Sequence, residues 1–197
     1  VQHYAREFGL DVVSVCPGTS FGPYDSLVGN GIYLLLIYRG QMPGVLKGGI
    51  SAAHVMDVAD GHLLAMDKGQ SGARYIITGR PEDNLSFKDL FGIMAAVLRQ
   101  QFPERRIRTP KLVVPSPLAM AGAAISERLA RLSGRPSLLS RAAVRAGSRP
   151  LYYSYETAAR DLGYLPKRTL RKGLEDMVEY YRAENLFEAR GRYADRR

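Results

Sequence analysis

The alternation of apolar and polar positions predicts helices separated by short strands. Residues 10–17 and 73–78 are short, β-branched apolar runs typical of strands, and the first has the pattern of a strand buried on both faces. A helix, a glycine and such a strand in succession indicate half of a β-α-β crossover, so the pattern predicts an α/β protein. Helical spacing of apolar residues covers the segments 1–8, 26–38, 54–68, 86–101, 116–132, 138–146, 156–162 and 169–181.

Smaller features complete the predicted elements. Glycine, proline, threonine and serine make residues 18–25 a predicted loop, and 49–53, 107–114 and 152–155 are predicted short extended pieces. Ser86 and Thr169 are predicted helix N-caps. The predicted apolar sides of the three clearest helices are Val55, Val58, Leu63 and Met66; Phe87, Leu90, Phe91, Met94 and Val97; and Leu170, Leu174, Met177, Val178 and Tyr181.

The first residues have the pattern of a helix that is already under way. Val1, Tyr4, Ala5 and Phe8 keep helical spacing, and Gly9 is placed to end that helix. The pattern also provides only two clear strands, which is too few for a stable open sheet. We therefore expect this chain to be the later part of a longer α/β protein.

Composition and charge narrow the classes of protein. The chain is 46% hydrophobic and 24% charged, has no apolar run near the about 18 residues that span a bilayer, and starts without a signal-peptide pattern. Its single cysteine, Cys16, excludes an internal disulfide framework. These features predict a cytoplasmic protein without a membrane partner. The net charge of +9 leaves a nucleic-acid partner as an alternative, but the excess is expected to be a solvated late segment beginning at Lys167.

Four segments carry motifs in a fixed order: 12–23, 53–62, 72–79 and 158–166. They read V-V-S-V-C-P-G-T-S-F-G-P, A-H-V-M-D-V-A-D-G-H, G-A-R-Y-I-I-T-G and A-A-R-D-L-G-Y-L-P. Together they resemble the extended short-chain dehydrogenases/reductases, and within them the dihydroflavonol reductase-like and hopanoid-associated sugar epimerase-like branch. One departure is Cys16, where the family usually has asparagine before the proline.

The resemblance implies a fold and a chemistry. The expected fold is the C-terminal portion of a Rossmann-like protein, namely the last parallel strands and a mostly helical substrate-binding subdomain. Residues 1–25 would be the end of the catalytic helix, a strand and the cofactor-facing loop. Residues 26–186 would combine the remaining Rossmann elements with the subdomain, and 187–197 a charged, disordered tail. The implied cofactor is NAD or NADP.

The resemblance also implies where the reactive groups are. The family's Tyr-x-x-x-Lys pair would lie before Val1, and no tyrosine of this chain replaces it: Tyr4, for example, is followed four residues later by Phe8. No catalytic residue is therefore expected in the chain. The residues that the resemblance places at the cofactor are Pro17, Gly18, Thr19 and Ser20.

His54 and Asp57 are the predicted substrate-binding residues. Local capping of the helix that they begin is the alternative for both. A metal site is not expected, because His54 and His62 are two helical turns apart.

The predicted function is that of an NAD(P)-dependent oxidoreductase or epimerase/dehydratase acting on a hydroxyl or carbonyl of a small molecule or nucleotide sugar. A homodimer of the full-length protein is possible. The alternative is a non-catalytic binding module of the same fold.

Overall fold

A computed structural model describes residues 2–42, 44–134 and 140–188. The helices are α1 (Gln2–Phe8), α2 (Ile32–Tyr38), α3 (Val55–Lys68), α4 (Phe87–Gln101), α5 (Ser116–Ser133), α6 (Arg141–Gly147), α7 (Glu156–Leu162) and α8 (Leu170–Ala183). The strands are β1 (Ser14–Pro17), β2 (Thr19–Phe21), β3 (Gly49–His54), β4 (Arg74–Ile77), β5 (Asn84–Ser86) and β6 (Pro150–Leu151), with a 3₁₀ helix at Pro81–Asp83. The predicted α/β class is confirmed.

The strands form two small sheets. In the first, β1 and β4 are parallel, with Ser14 opposite Arg74. In the second, β3 is central: β2 is parallel to its second half, β5 is antiparallel to its first half, and β6 is parallel to Gly49 and Ile50. Because β5 and β6 pair with the same residues of β3, they lie on opposite edges of that strand.

The predicted helix boundaries are largely confirmed. The Ser86 and Thr169 hydroxyl oxygens accept hydrogen bonds from the backbone N–H groups of Asp89 and Lys172, so both residues cap their helices. Gly163 ends α7 with a φ of 69°, in the left-handed region. The predicted helix at 138–146 is shorter, beginning at Arg141, and its first two residues lie outside the described ones. Most of the predicted tail at 187–197 also lies outside the described residues.

Two predictions near the first sheet were wrong. The strand predicted over 10–17 forms only from Ser14, because its partner β4 begins at Arg74, after a turn. Its residues are half-buried rather than buried on both faces, since β4 is its one partner among the described strands. The predicted loop at 18–25 instead contains β2, which pairs with β3.

Two further boundaries differ because side chains hold the backbone. The helix predicted from 26 starts at Ile32, because the Asp25 carboxylate accepts the N–H groups of Gly29 and Gly31 and keeps that segment in turns. The strand predicted at 152–155 lies at Pro150–Leu151. Beyond it, the Tyr153 N–H donates to the Ser51 hydroxyl rather than to a strand carbonyl.

Two main apolar clusters form the interior. The larger cluster joins α2, α4, α8 and β3, and includes all five residues predicted for the apolar side of α8. The second cluster joins α3, α7 and β4 around Tyr75, Ile77 and Tyr164. A small third cluster of Ala119, Ala123 and Val144 joins α5 to α6.

The predicted apolar side of α3 was wrong for its second half. Leu63 and Met66 are exposed, whereas Gly61 and Ala65 are buried. A Cβ atom at Gly61 would lie 2.6 Å from the Ile77 side chain, so the glycine lets α3 approach β4 closely. Close contact through small residues leaves the larger side chains facing outward. No helix in the described part of the chain is long and apolar enough to cross a membrane.

Candidate functional site

The chain passes from one sheet to the other at Gly18. Pro17 ends β1 and Thr19 begins β2, so a single residue separates the two strands. The Gly18 N–H donates to the Ile77 carbonyl at 2.7 Å, which extends the bonding of the first sheet. Thr19 then pairs with Ala52 in the second sheet. The predicted cofactor-facing segment is therefore the junction of the two sheets.

Gly18 is required by close contacts on two sides. A Cβ atom there would lie 2.7 Å from the Ser51 carbonyl oxygen and 2.7 Å from the Thr78 hydroxyl. The first contact is with backbone, so even alanine would force β1 and β3 apart. The glycine thus fixes the spacing between the sheets.

A cavity of about 180 Å³ lies beside this junction. Along one edge of β3 the paired strand changes from β6, where Ile50 pairs with Leu151, to β2, where Ala52 pairs with Thr19. The cavity lies at this change. The residue between Ile50 and Ala52, Ser51, belongs to the lining. The lining consists of Pro17, Gly18, Thr19, Asn30, Ile50, Ser51, Leu151 and Tyr153.

Ser51 organises the wall of the cavity opposite Gly18. Its side chain is buried, and its hydroxyl donates to the Asn84 amide oxygen at 2.5 Å. The same hydroxyl accepts the Tyr153 N–H at 2.7 Å. With both roles of the hydroxyl filled, Ser51 fixes Tyr153, whose exposed ring borders the cavity.

The predicted cofactor residues divide into two groups. Pro17, Gly18 and Thr19 line the cavity, but Ser20 does not. Ser20 pairs with Ala53 in the second sheet, and its carbonyl accepts the Asn30 side-chain amide at 3.1 Å. Ser20 therefore positions Asn30, which does line the cavity.

Thr78 supports the junction from the end of β4. Its carbonyl accepts the Tyr164 hydroxyl at 2.9 Å, and both residues are buried. Burial raises the pKa of Tyr164 well above its ordinary value, with the nearby Asp57 carboxylate adding to the shift. Tyr164 is therefore a neutral donor that holds Thr78, and through it the Gly18 contact, in place.

The structure places His54 outside the cavity lining, as the buried N-cap of α3. Its Nδ1 accepts the Met56 N–H at 3.1 Å, so Nε2 carries the proton of the neutral ring and faces Asp176 at 3.2 Å. Nδ1 thus caps α3, and Nε2 joins the start of α3 to α8. The bond from Met56 N–H is the local capping that was the alternative for His54.

Asp57 is likewise occupied away from the cavity. It is 1% exposed, and one carboxylate oxygen accepts the N–H groups of Lys167 and Arg168 at 3.0 and 2.9 Å. The other carboxylate oxygen accepts the Arg168 guanidinium, which also contacts Asp60. Asp57 thus fixes the segment that leads into α8.

The chemistry of the lining is that of a binding surface. Tyr153 is the one titratable side chain among the described lining residues. Over the described ranges, no group of three or more histidine, cysteine, aspartate or glutamate side chains could hold a metal ion. His62 is exposed and contacts the Val58 carbonyl of its own helix.

Five of the lining residues were not among the predicted site residues. They come from three separate parts of the chain and meet only in the folded protein: Asn30, Ile50, Ser51, Leu151 and Tyr153. The run of Tyr152, Tyr153 and Tyr155 was the available signal, since clustered tyrosines often border ligand sites.

Several known proteins are similar to this chain in sequence and structure. A Synechocystis protein assigned as a dihydroflavonol 4-reductase is 29% identical over 90% of this chain and 50% of its own length. The crystal structure of the protein gox2253 is 28% identical, with a TM-score of 0.71 over 93% of this chain and 52% of that one. A nucleoside-diphosphate-sugar epimerase from Pseudomonas aeruginosa is 25% identical, with a TM-score of 0.67 over 94% and 52%. No family model matches the chain.

Its homologues and structural neighbours are extended short-chain dehydrogenases/reductases. The predicted resemblance and the Rossmann-like fold class are confirmed. The fold is shared more widely, for example with a dTDP-glucose 4,6-dehydratase from Streptomyces venezuelae that has NAD bound, at 20% identity and a TM-score of 0.58. The chain spans about half the length of these relatives.

Proposed function

We propose that this chain supplies the nicotinamide-facing loop and part of the substrate wall of an NAD(P)-dependent oxidoreductase or epimerase/dehydratase. The observation that carries the proposal is the cavity lined by Pro17, Gly18 and Thr19 at the carboxyl end of the parallel strand β1. Ligands of open α/β sheets bind at this end of the strands. The proposal is also supported by the similar proteins, which include a reductase, an epimerase and a dehydratase.

The size of the cavity fits a partial site. Complete small-molecule pockets measure about 300–1,000 Å³. The cavity of about 180 Å³ is below that range and would accept only a portion of a dinucleotide or of its substrate. This agrees with a chain that spans half the length of its relatives.

A nicotinamide cofactor, when bound, supplies or accepts a hydride at a carbon that bears a hydroxyl or carbonyl. In the proposal, Pro17, Gly18 and Thr19 contact the ring, and Ser20 holds Asn30 against it. Tyr153 and Leu151 face the substrate. His54 and Asp57, the predicted substrate-binding residues, lie outside the cavity lining and support it by fixing α3 and the start of α8.

The finer points remain part of the proposal. Reduction, epimerisation and dehydration are each candidate reactions, and NAD and NADP are both candidate cofactors. A nucleotide sugar is a candidate substrate because a nucleoside-diphosphate-sugar epimerase is among the similar structures. A homodimer of the full-length protein and a cytoplasmic location stay predictions.

The proposal is tested by nuclear magnetic resonance of the chain titrated with NADH, NADPH and nicotinamide mononucleotide. We expect shifts in the amide signals of Gly18, Thr19 and Ser51, and their loss in Gly18→Ala. The matched control is Gly92→Ala, because a Cβ atom at Gly92 meets nothing within 4 Å. If Gly18→Ala fails to fold, Thr19→Val is used in its place. It replaces only the hydroxyl of a lining residue with a methyl group, and the shifts should again be lost. Shifts confined to other parts of the chain would refute the proposal.

A non-catalytic binding module is the second candidate function. It would use the same cavity as a binding surface, in which Ser51 holds Tyr153 at the lining. The coding sequence before Val1 separates the two candidates. A glycine-rich nucleotide loop and a Tyr-x-x-x-Lys pair there would support the enzyme, and a sequence without them would support the binding module.

A further inference from the structure

Helix α5 presents four large apolar side chains to solvent. Leu118, Ile125, Leu129 and Leu132 are between 59% and 85% exposed. Their spacings of seven, four and three residues place them on one side of the helix, which we call the α5 apolar face. Isolated exposed leucines are ordinary, but four aligned along an 18-residue helix form a continuous apolar surface.

The opposite side of α5 fixes its orientation. Ala119 and Ala123 are buried against Val144 of α6. The Glu127 carboxylate accepts the backbone N–H of Arg141 at 2.8 Å and its guanidinium at 2.9 Å. With α6 holding this side, the α5 apolar face is directed away from the interior of the described structure.

The net positive charge of the protein is concentrated in the segment of the sequence that contains this helix. Residues 105–151 contain ten basic residues and one acidic residue, an excess that equals the net charge of +9 for the whole chain. Residues 152–197 contain ten basic and eight acidic residues. The expectation that the excess lies late in the chain was therefore wrong. It accumulates on the segment that contains α5 and α6.

One arginine lies directly at the edge of the apolar face. Arg128 is exposed, three residues after Ile125 and four before Leu132, which places it beside both on the helix. Glu127, the only acidic residue of α5, is already engaged by Arg141. The surroundings of the face are thus basic, with no carboxylate left on α5 to neutralise them.

We propose that the α5 apolar face docks on an anionic lipid surface. An amphipathic helix whose leucines enter the acyl boundary while flanking arginines contact anionic headgroups has both features seen here. Because α5 is not long and apolar enough to cross a membrane, it would lie in the plane of the interface. This proposal replaces the expectation of no membrane partner.

Two other occupants fit the observations less well. A second copy of the chain would match apolar face to apolar face, but it would add another basic surface and no free carboxylate on α5. A nucleic acid would satisfy the charge through its phosphates, but it would leave the four aligned apolar side chains in water. Only a lipid surface uses both the apolar side chains and the charge.

The experiment is co-sedimentation of the chain with vesicles at physiological salt. One set is phosphatidylcholine alone, and the other contains about one-third phosphatidylglycerol. We expect binding to the anionic vesicles only, weakened about tenfold or more in Ile125→Gln/Leu129→Gln. The matched control is Leu63→Gln/Met66→Gln, which changes two equally exposed apolar side chains on α3 and should bind like the unmodified chain.

Charge is tested separately. Arg128→Gln/Arg131→Gln, which removes the two arginines that α5 itself carries, should weaken binding to anionic vesicles several-fold, whereas Lys68→Gln/Lys88→Gln, with the same loss of net charge elsewhere, should not. All four substituted side chains are exposed, so the variants are expected to fold.

Four results would overturn the proposal. One is no binding to anionic vesicles, and another is an equal loss of binding in the α5 and α3 variants. The third is a dimer, detected by analytical ultracentrifugation, that Ile125→Gln/Leu129→Gln dissociates, because a second copy would then cover the face. If the chain bound an oligonucleotide more tightly than vesicles, the partner of the basic segment would be a nucleic acid. That result would also contradict docking on lipid.

Discussion

Helices α8 and α5 use their apolar residues in opposite ways. Every residue predicted for the apolar side of α8, from Leu170 to Tyr181, is at most 2% exposed. In α5 the fully buried residues are two alanines, Ala119 and Ala123, while the leucines and the isoleucine face solvent. The period of a helix therefore predicts which residues share a side. It does not predict whether the rest of the protein covers that side.

The difference follows from what each helix packs against. Helix α8 contacts α4, β2 and β3, and its start is held by the Thr169 cap and by the Asp57 carboxylate. Helix α5 packs mainly on the short helix α6. We conclude that the apolar residues of α8 stabilise the fold, whereas those of α5 are available for binding.

The largest effect is expected from truncating one leucine in each helix. Leu174→Ala should lower the free energy of unfolding by about 2–5 kcal/mol, because it leaves a cavity in the larger cluster. Leu129→Ala should change it by less than about 0.5 kcal/mol, since that side chain is 59% exposed. Chemical denaturation followed by circular dichroism measures both. Equal losses would mean that the α5 apolar face is covered within the chain.

A smaller effect is expected at the carboxylate that fixes the start of α8. Asp57→Ala should lower the free energy of unfolding by about 3 kcal/mol, because the N–H groups of Lys167 and Arg168 lose a buried partner. Asp60→Ala is the control: Asp60 is partly exposed, and within the described ranges its carboxylate bonds to the Arg168 side chain alone, so the loss should be below about 1 kcal/mol. The same denaturation assay applies. If the two variants are equally stable, Asp57 does not hold this segment.

The smallest effect concerns the contact between α5 and α6. Hydrogen bonds from the Arg141 backbone N–H and then from its side chain lower the pKa of Glu127 from its ordinary value of 4.5. A lowered carboxyl pKa adds stability that is fully present above 4.5 and disappears as the pH falls through the folded-state pKa. Glu127→Gln should therefore melt slightly below the unmodified chain at pH 7, and the difference should shrink below pH 4.5. A difference in melting temperature that is independent of pH would argue against this ion pair.

The sequence predicted the long helices and their caps because those signals are local. Ser86, Thr169 and Gly163 act within one turn of their own position. Strand β2 was missed for the opposite reason. Its three residues, Thr19–Phe21, lie among glycines and prolines that are typical of a loop, and only pairing with β3 makes them a strand.

The candidate site was predictable only where one segment carries it. Pro17, Gly18 and Thr19 are consecutive, and the resemblance to the family indicated them together. Ser51 and Tyr153 are 102 positions apart, and the hydrogen bond that joins them appears only when β3 and β6 pair. His54 and Asp57 were predicted as substrate-binding residues from the motif at 53–62 and their place at the start of a helix, with local capping as the alternative. Their burial against α8 and Arg168 could not be deduced from local pattern.

The single-residue junction at Gly18 has a mechanical consequence. Strand β3 contributes Ala52 to the larger apolar cluster and Ala53 to the second, and at Gly18 a single residue carries the chain from one sheet to the other. The cavity beside it is lined from both sides of the junction, by Pro17 of β1 and by Ile50 of β3. A molecule bound there touches both halves, so its binding free energy opposes the separation of either one. Occupancy of the cavity would thus stabilise the junction between the two sheets.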